Sequence, residues 1–336
     1  MDFDLNDDQR DLASAARDFL SGSASPAHAR TLLAEGGDLA PGRAALAASG
    51  FASITVPESA GGGGGSVLDL AVVAEQAGRV LAGPSLVTGA RVAVLLADDE
   101  SRLQGFVDGS VQYAVVDGSA ATLDAAGADT FLSLDGDTLV VGAGTVELGT
   151  PIDATRGLGR VSLAAGETVA TDASMRWQHA ERVGRVILAA EGLGAASRAL
   201  EIAVAYAQER QAFGRAIGSY QAVKHSLVDV YVEVEQLRSR VWWAAWAADQ
   251  APDELPLAAA AVKAASASAL EQAAETLIQV HGGIGFTWEH DAHLYWRRAK
   301  VDRFLLGDDV AAYDEVARLG IAAGHAAPVA QSATAH

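Results

Sequence analysis

The chain of 336 residues contains no cysteine. That excludes disulfides, thiolate nucleophiles, and zinc or iron–sulfur centres built on sulfur. It also has no apolar run near the roughly 18 residues that a membrane span needs. Basic residues are scarce: 24 Lys and Arg stand against 43 Asp and Glu, for a formal charge of −19. Nucleic-acid binding needs clustered cations to neutralise phosphates, and no such cluster is present. The N-terminal stretch "MDFDLNDDQRDLASAARDFL" lacks the basic leader and apolar segment of a secretory signal. The expectation is a soluble cytoplasmic protein that meets neither nucleic acid nor membrane. Prolines number only 8, whereas glycines number 35 and alanine comes in long runs. Small side chains let helix backbones come near one another, so close helix packing is expected.

Along the chain the hydrophobic period changes twice. Helical spacing is present in 6–21, where Asn6 and Asp7 offer an N-cap, and in 27–35, 41–49, 66–82 and 85–97. Between two of these lies "VPESAGGGGGSVLDL". Five glycines in a row hold no single backbone geometry cheaply, so a mobile loop is expected. The Lys-Ser/Thr of a phosphate-binding loop is missing from it. From about 105 to 172, short β-branched runs separated by Asp-Gly and Gly turns predict hairpins and about six short strands. Helical spacing then returns over 178–209, 220–250, 255–281, 288–296 and 306–322. The expected fold class is α+β, mainly α. It comprises an N-terminal helical domain (1–98), a small β domain (99–176), a C-terminal four-helix bundle (177–325) and a flexible tail (326–336).

Two stretches invite a chemical reading. In "QVHGGIGFTWEH", residues 279–290, His281 and His290 lie close to a glycine pair, with His293 just beyond. An HExxH pattern is absent and no carboxylate has metal-ligand spacing apart from Glu289 and Asp291, so no metal is expected. In "AYAQERQAFGRAIGSYQAVKHSLVD", residues 205–229, a helix ends near Arg210, and another begins after Ser219. Arg210, Phe213 and Gln221 therefore sit at the mouth of a helix hairpin. An arginine offers a forked donor for phosphate, an exposed aromatic a stacking face, and a glutamine a bidentate amide. On residue types alone, a solvated arginine and a packing phenylalanine fit equally well.

These two stretches, with "VPESAGGGGGSVLDLAVVAEQAGRVLAGPS" before them, resemble the acyl-CoA dehydrogenase family in order, spacing and α–β–α organisation. The resemblance implies that the R-x-x-F-G hairpin, a glutamine eleven residues after its arginine, and a Q-x-x-G-G turn grip the FAD of a neighbouring subunit. By position these are Arg210, Phe213, Gln221, Gln279, Gly282 and Gly283. Glycines after a helix C-terminus can take positive φ and bring N–H groups close to a pyrophosphate.

The family's reaction removes the α-proton of an acyl-CoA thioester while the β-hydride passes to the flavin, and it needs a carboxylate base. At the commonest base position this sequence has Leu306, with Asp308 where a threonine is usual; at the alternative position it has Gly184, ahead of Arg185. Glu191 is the remaining catalytic candidate, seven residues after Gly184 and so about 10 Å further along the helix. Glu181 lies about one turn too early. The family's Thr-Glu-x-x-x-Gly-Ser-Asp stretch, which contacts the flavin ring, has no counterpart in 100–175. In its place "PIDATRGLGRV" resembles the short subunits of actinobacterial heterotetrameric (α2β2) acyl-CoA dehydrogenases of steroid side-chain catabolism.

The resemblance thus implies a subunit that contributes neighbour-side FAD contacts, while a homologous catalytic partner supplies the glutamate. Acyl-CoA would be the substrate and an electron-transfer flavoprotein the acceptor. The alternatives are a self-sufficient homomeric enzyme using Glu191, or a scaffold of the same fold without redox chemistry.

Overall fold

The computed structural model describes residues 4–36, 39–118 and 120–326. Helix α1 (Asp7–Ser23) starts on a capping box, in which the Asn6 side chain accepts from the Gln9 N–H and the Gln9 side chain accepts from the Asn6 N–H. Helices α2 (Pro26–Glu35) and α3 (Ala40–Ser49) follow.

The glycine run is not a mobile loop. The N–H groups of Gly62, Gly63, Gly64 and Gly65 donate to the carbonyls of Pro57, Ser53, Val56 and Ile54. A β-carbon on Gly62 would lie 2.3 Å from the Val56 carbonyl oxygen. The run is thus pressed against residues 53–57, and four backbone hydrogen bonds offset the conformational entropy that argued for mobility. It leads into α4 (Val67–Arg79), which opens on a second capping box from Ser66 and Asp69. Next come α5 (Leu86–Leu95) and α6 (Glu100–Val107), the latter extending the helical region into residues expected to start the β part.

Six strands follow: β1 (Tyr113–Val116), β2 (Thr130–Asp135), β3 (Thr138–Gly142), β4 (Gly144–Leu148), β5 (Gly159–Leu163) and β6 (Glu167–Ala170). The hairpin expectation holds for β2–β3, where Gly136 at φ +61° opens a two-residue turn. Elsewhere the pairing is less local. β1 runs parallel to β2 and β6 pairs with β3, giving the order β1-β2-β3-β6; β4 and β5 form a separate ribbon. The β4–β5 connection is residues 149–158, "GTPIDATRGL".

Long helices then stack: α7 (Ser174–Glu209), α8 (Gln221–Gln250), α9 (Leu255–His281), α10 (Ala292–Asp302) and α11 (Asp309–Ala326). Between α7 and α8 lies a miniature hairpin of β7 (Gln211–Ala212) and β8 (Arg215–Ala216). The expected helix at 288–296 starts later, at Ala292, because the 3-10 turn Gly282–Phe286 is followed by turns and bends over 287–291. The protein is mainly α with a small β part, in line with the expected class. One buried apolar cluster runs from α1 through α4 and α5 into α7–α10, so the N-terminal helices and the bundle share a core. A second cluster lies between α5, α6 and the four-stranded sheet. Residues 327–336, most of the expected tail, lie outside the described residues. Among the described residues no helix is long and apolar enough to cross a membrane.

Helices α4 and α7 cross at glycine. A β-carbon on Gly78 would sit 1.8 Å from the Glu191 carbonyl oxygen, and one on Gly194 would sit 1.8 Å from that of Glu75. Neither backbone can yield without opening the shared core. Gly194→Ala is therefore expected to destabilise the protein by about 3 kcal/mol, at the upper end of overpacking effects, read as a lower midpoint in urea denaturation at unchanged slope.

Candidate functional site

Six residues singled out in the sequence gather at one end of the bundle. The Tyr206 ring on α7 stacks on His281 at the end of α9, with centroids 4.1 Å apart, which holds these two helix ends together. A β-carbon on Gly218 would touch the Ala207 carbonyl oxygen at 2.9 Å, so the hairpin folds back on α7 and delivers Gln221 as the first residue of α8. Arg210 is the C-cap of α7; its carbonyl accepts from the Ile217 N–H. Its guanidinium has no hydrogen-bond or ion-pair partner among the described residues. Phe213 and Gly214 form the two-residue hairpin turn, both in the left-handed region at φ +51° and +81°. A phenylalanine seldom adopts this conformation, which costs on the order of 1 kcal/mol. The turn holds its ring 97% exposed.

On the α9 side, Gln279, Gly282 and Gly283 are exposed. Gly282 takes φ +64°, as expected for a glycine beyond a helix end. Gly283 instead continues into the 3-10 turn with ordinary φ. A β-carbon on either would meet nothing within 4 Å, so the surface above the turn is open. The histidines beneath it do not converge on a point. His281 and His290 lie ring against ring at 4.1 Å, and His281 Nδ1 is 2.8 Å from the Leu277 carbonyl oxygen. Burial, with the neighbouring His281, pushes the His290 imidazole below its ordinary value.

The two expected base positions meet each other beside a separate cavity. A β-carbon on Gly184 would lie 3.0 Å from Leu306 Cδ1 and 3.0 Å from Arg91 Cδ. The cavity beside them, about 530 Å³, is lined by Val87, Arg91, Val115, Trp177, Phe304 and Leu306 among others. Each carboxylate in or near it is engaged. Asp117 takes both Arg91 terminal nitrogens at 2.6 Å; Glu181 accepts from Arg185 at 2.7 Å. Glu315 accepts from the same Arg185, whose Nε also donates to the Leu306 carbonyl. Asp308 caps α11 through the Ala311 N–H.

Glu191 lies elsewhere, in a buried ion-pair network that residue spacing did not reveal. One oxygen accepts from Ser85 Oγ and the Leu86 N–H, both at 2.9 Å; the other accepts from Arg156 Nη1. Arg156 and Asp153 come from the β4–β5 connection. Arg156 also makes a two-point pair with Asp302 of α10, at 2.8 and 2.6 Å. Asp153 accepts from Arg298 at 2.6 Å, and Arg298 donates further to Thr155 Oγ1 and the Ala82 carbonyl. Burial alone would raise the Asp153 carboxyl, but the guanidiniums of Arg298 and Arg156 overcome it and hold the group below its usual range. Lys263 closes the network by donating to the Asp302 and Arg303 carbonyls, each at 2.9 Å, and burial pushes its ammonium down to about 8. No local signal in the sequence marked Asp153 or Arg156 for burial, because their partners come from distant helices.

The acyl-CoA dehydrogenase N-terminal domain matches residues 6–97 and the C-terminal domain matches residues 158–323. The chain belongs to the acyl-CoA dehydrogenase family. It is 35% identical over 261 residues to acyl-CoA dehydrogenase IpdE2 of Mycolicibacterium smegmatis, covering 77% of this chain and 80% of the relative. FadE34 of Mycobacterium tuberculosis is 37% identical over 280 residues, 76% of this chain but only 38% of that longer relative. Among solved structures, a chain of the Tcur3481–Tcur3483 steroid ACAD superposes with TM-score 0.82 at 28% identity, covering 95% of this chain and 99% of that one. A chain of the ChsE4–ChsE5 complex from Mycobacterium tuberculosis gives TM-score 0.81 at 25% identity, covering 97% and 100%.

Removing Asp153 would leave Arg298 a buried charge without its carboxylate. Asp153→Asn is expected to lose about 3–5 kcal/mol at neutral pH. Because the folded-state value lies below the unfolded one, the stabilisation is full above about pH 4 and fades as pH falls through the folded value. Urea titrations at several pH values should therefore show wild type and variant converging only in acid.

Proposed function

We propose that this chain is the half-site subunit of a heteromeric, FAD-dependent acyl-CoA dehydrogenase: it grips the nucleotide end of an FAD whose flavin ring and catalytic glutamate belong to a homologous partner. The observation that carries this is the contrast between the bundle end and the cavity. The end presents an unpaired Arg210, an exposed Phe213 and an open Gly282–Gly283 turn, whereas Gly184 and Leu306 leave the cavity without a free carboxylate. The domain divisions near residues 98 and 176 belong to the same proposal.

The residues fit the cofactor. The Arg210 guanidinium would neutralise pyrophosphate charge, the N–H groups at Gly282 and Gly283 would approach it without a side chain intervening, and Phe213 would stack on a planar base. Gln221 and Gln279 supply amides for the sugar and adenine edges. FAD, when bound, takes up the hydride that leaves the substrate β-carbon as the α-proton is removed. Glu191 serves structure and not proton transfer: its lone pairs already accept from Arg156, Ser85 and Leu86. The Tcur3481–Tcur3483 and ChsE4–ChsE5 structures are assemblies of two different chains, which supports a homologous α2β2 partner here. The partial coverage of FadE34 is compatible with both roles residing in one longer polypeptide. A steroid-derived acyl-CoA as substrate and an electron-transfer flavoprotein as acceptor follow by analogy.

The chain purified alone should retain little FAD and turn over no acyl-CoA, assayed by flavin absorbance and dye reduction. Robust turnover by the lone chain overturns the proposal. Co-expressed with a homologue that carries the base glutamate, it should yield a yellow complex. Arg210→Ala in that complex should weaken FAD retention roughly tenfold or more while the complex stays assembled.

A further inference from the structure

His290 lies where the segment 282–291 gives way to α10, and its hydrogen bond fixes its protonation. The ring Nδ1 accepts from the Ala292 N–H at 3.1 Å, which requires a bare lone pair and leaves the ring proton on Nε2. Ala292 is wholly buried, and Asp291, which precedes α10, makes no side-chain cap to it. An imidazole thus does here what Ser66 and Asp99 do at the starts of α4 and α6.

The surroundings disfavour a second proton on that ring. From α9, His281 lies against it at 4.1 Å, and the His281 Nδ1 carries a proton, because the Leu277 carbonyl 2.8 Å away can only accept. From α7, the Tyr206 ring stacks on His281 and holds it in place. From α2, Arg30 pairs with Asp291, so a guanidinium offsets the pull of that carboxylate on His290; Glu289 on the other side is exposed. Within α10, His293 is itself held below its ordinary value, by burial first and then by Arg297 and Arg30. A cation at this point also opposes the positive end of the α10 dipole.

We infer that His290 is a proton-operated latch: its neutral ring caps α10 and closes the segment 282–291, and protonation at Nδ1 opens that segment with its Gly282–Gly283 turn. The step is uptake of one proton from water. The N–H···N bond to Ala292 is lost, and two donors are left facing each other at a buried backbone amide. The folded-state value of His290 lies below the unfolded one, through burial and then His281. The contribution of the neutral ring is therefore complete above about pH 6.5 and is lost as pH falls from there through the folded value. The latch stands on these contacts alone; that its opening would loosen the nucleotide end of FAD rests on the half-site reading.

The test is backbone hydrogen–deuterium exchange of the full-length chain without cofactor, at about pH 7.5 and about pH 5, corrected for the intrinsic rate. Protection over 282–296 should fall at least about tenfold in acid, while the middle of α9, 258–270, stays unchanged. His290→Asn keeps an acceptor at the Nδ1 position and has no ring to titrate, and the site is partly exposed, so the fold should survive. Its protection over 282–296 should be alike at both pH values, which also separates His290 from His293. In proton NMR the His290 imidazole, identified by its absence from the variant, should titrate below the ordinary histidine value. Wild-type protection that survives at about pH 5, equal loss in His290→Asn, or titration of His290 at or above the ordinary value would each overturn the inference. Neither flavin retention nor turnover is read, so failure here leaves the half-site proposal standing, and failure of that proposal leaves the latch.

Discussion

Arg156 is the point on which the rest of the structure depends. Its side chain is wholly buried, yet a guanidinium carries five donors and cannot shed its charge. Folding therefore has to bring carboxylates to it from elsewhere in the chain. They come from Glu191 in the middle of α7 and Asp302 at the end of α10, while Glu191 is also tied to Ser85 and Leu86 at the start of α5. The N-terminal helices, the β4–β5 connection and the bundle are thereby locked to one another at a single buried point. Such a network is a modest source of net stability, because desolvation opposes the Coulomb attraction. Its stronger effect is positional. Asp302 is four residues before Leu306, so fixing α10 against α7 also fixes where the Leu306 loop meets Gly184.

The same constraint explains how an interior can change its chemistry while an exterior face keeps its own. The bundle end with Arg210, Phe213 and the glycine turn is held by the α7–α9 contact of Tyr206 and His281, several turns along those helices from Glu191 and Lys263 of the Arg156 network. The cavity, in contrast, takes its walls from α5, β1, α7 and the loop after α10. Side chains there could be replaced by Leu306 and Gly184 without disturbing the helix ends.

Much of this was legible in the sequence, and the omissions have physical causes. The long helices announced themselves through uninterrupted apolar spacing, and α9 ends at His281 as expected because two glycines follow it. The grouping of Arg210, Phe213, Gln221, Gln279, Gly282 and Gly283 at one end of the bundle was legible because they lie at a turn, a helix start and a helix end, which local sequence fixes. Strand pairing was less so, since a parallel β1–β2 pair and a β3–β6 pair depend on the shared core and not on the turn between neighbours. The glycine run was misjudged because its hydrogen-bond acceptors, at residues 53–57, lie outside the run itself. The Arg156 network was invisible for a related reason. Its bonded partners lie up to 216 residues apart, and nothing local marks an arginine as destined for the interior.

Phe213 stands on a backbone that phenylalanine rarely accepts, in a turn of only two residues, with its ring almost entirely in water. Most exposed side chains lose rotational and loop freedom when something settles on them, and that loss weakens binding. Here the turn has no length in which to wander, and the hairpin pairing fixes both of its ends. The ordering is completed during folding, before any ligand arrives. On the proposed reading, a planar group docking on this ring would meet a backbone already fixed, so less ordering would be left to oppose its binding.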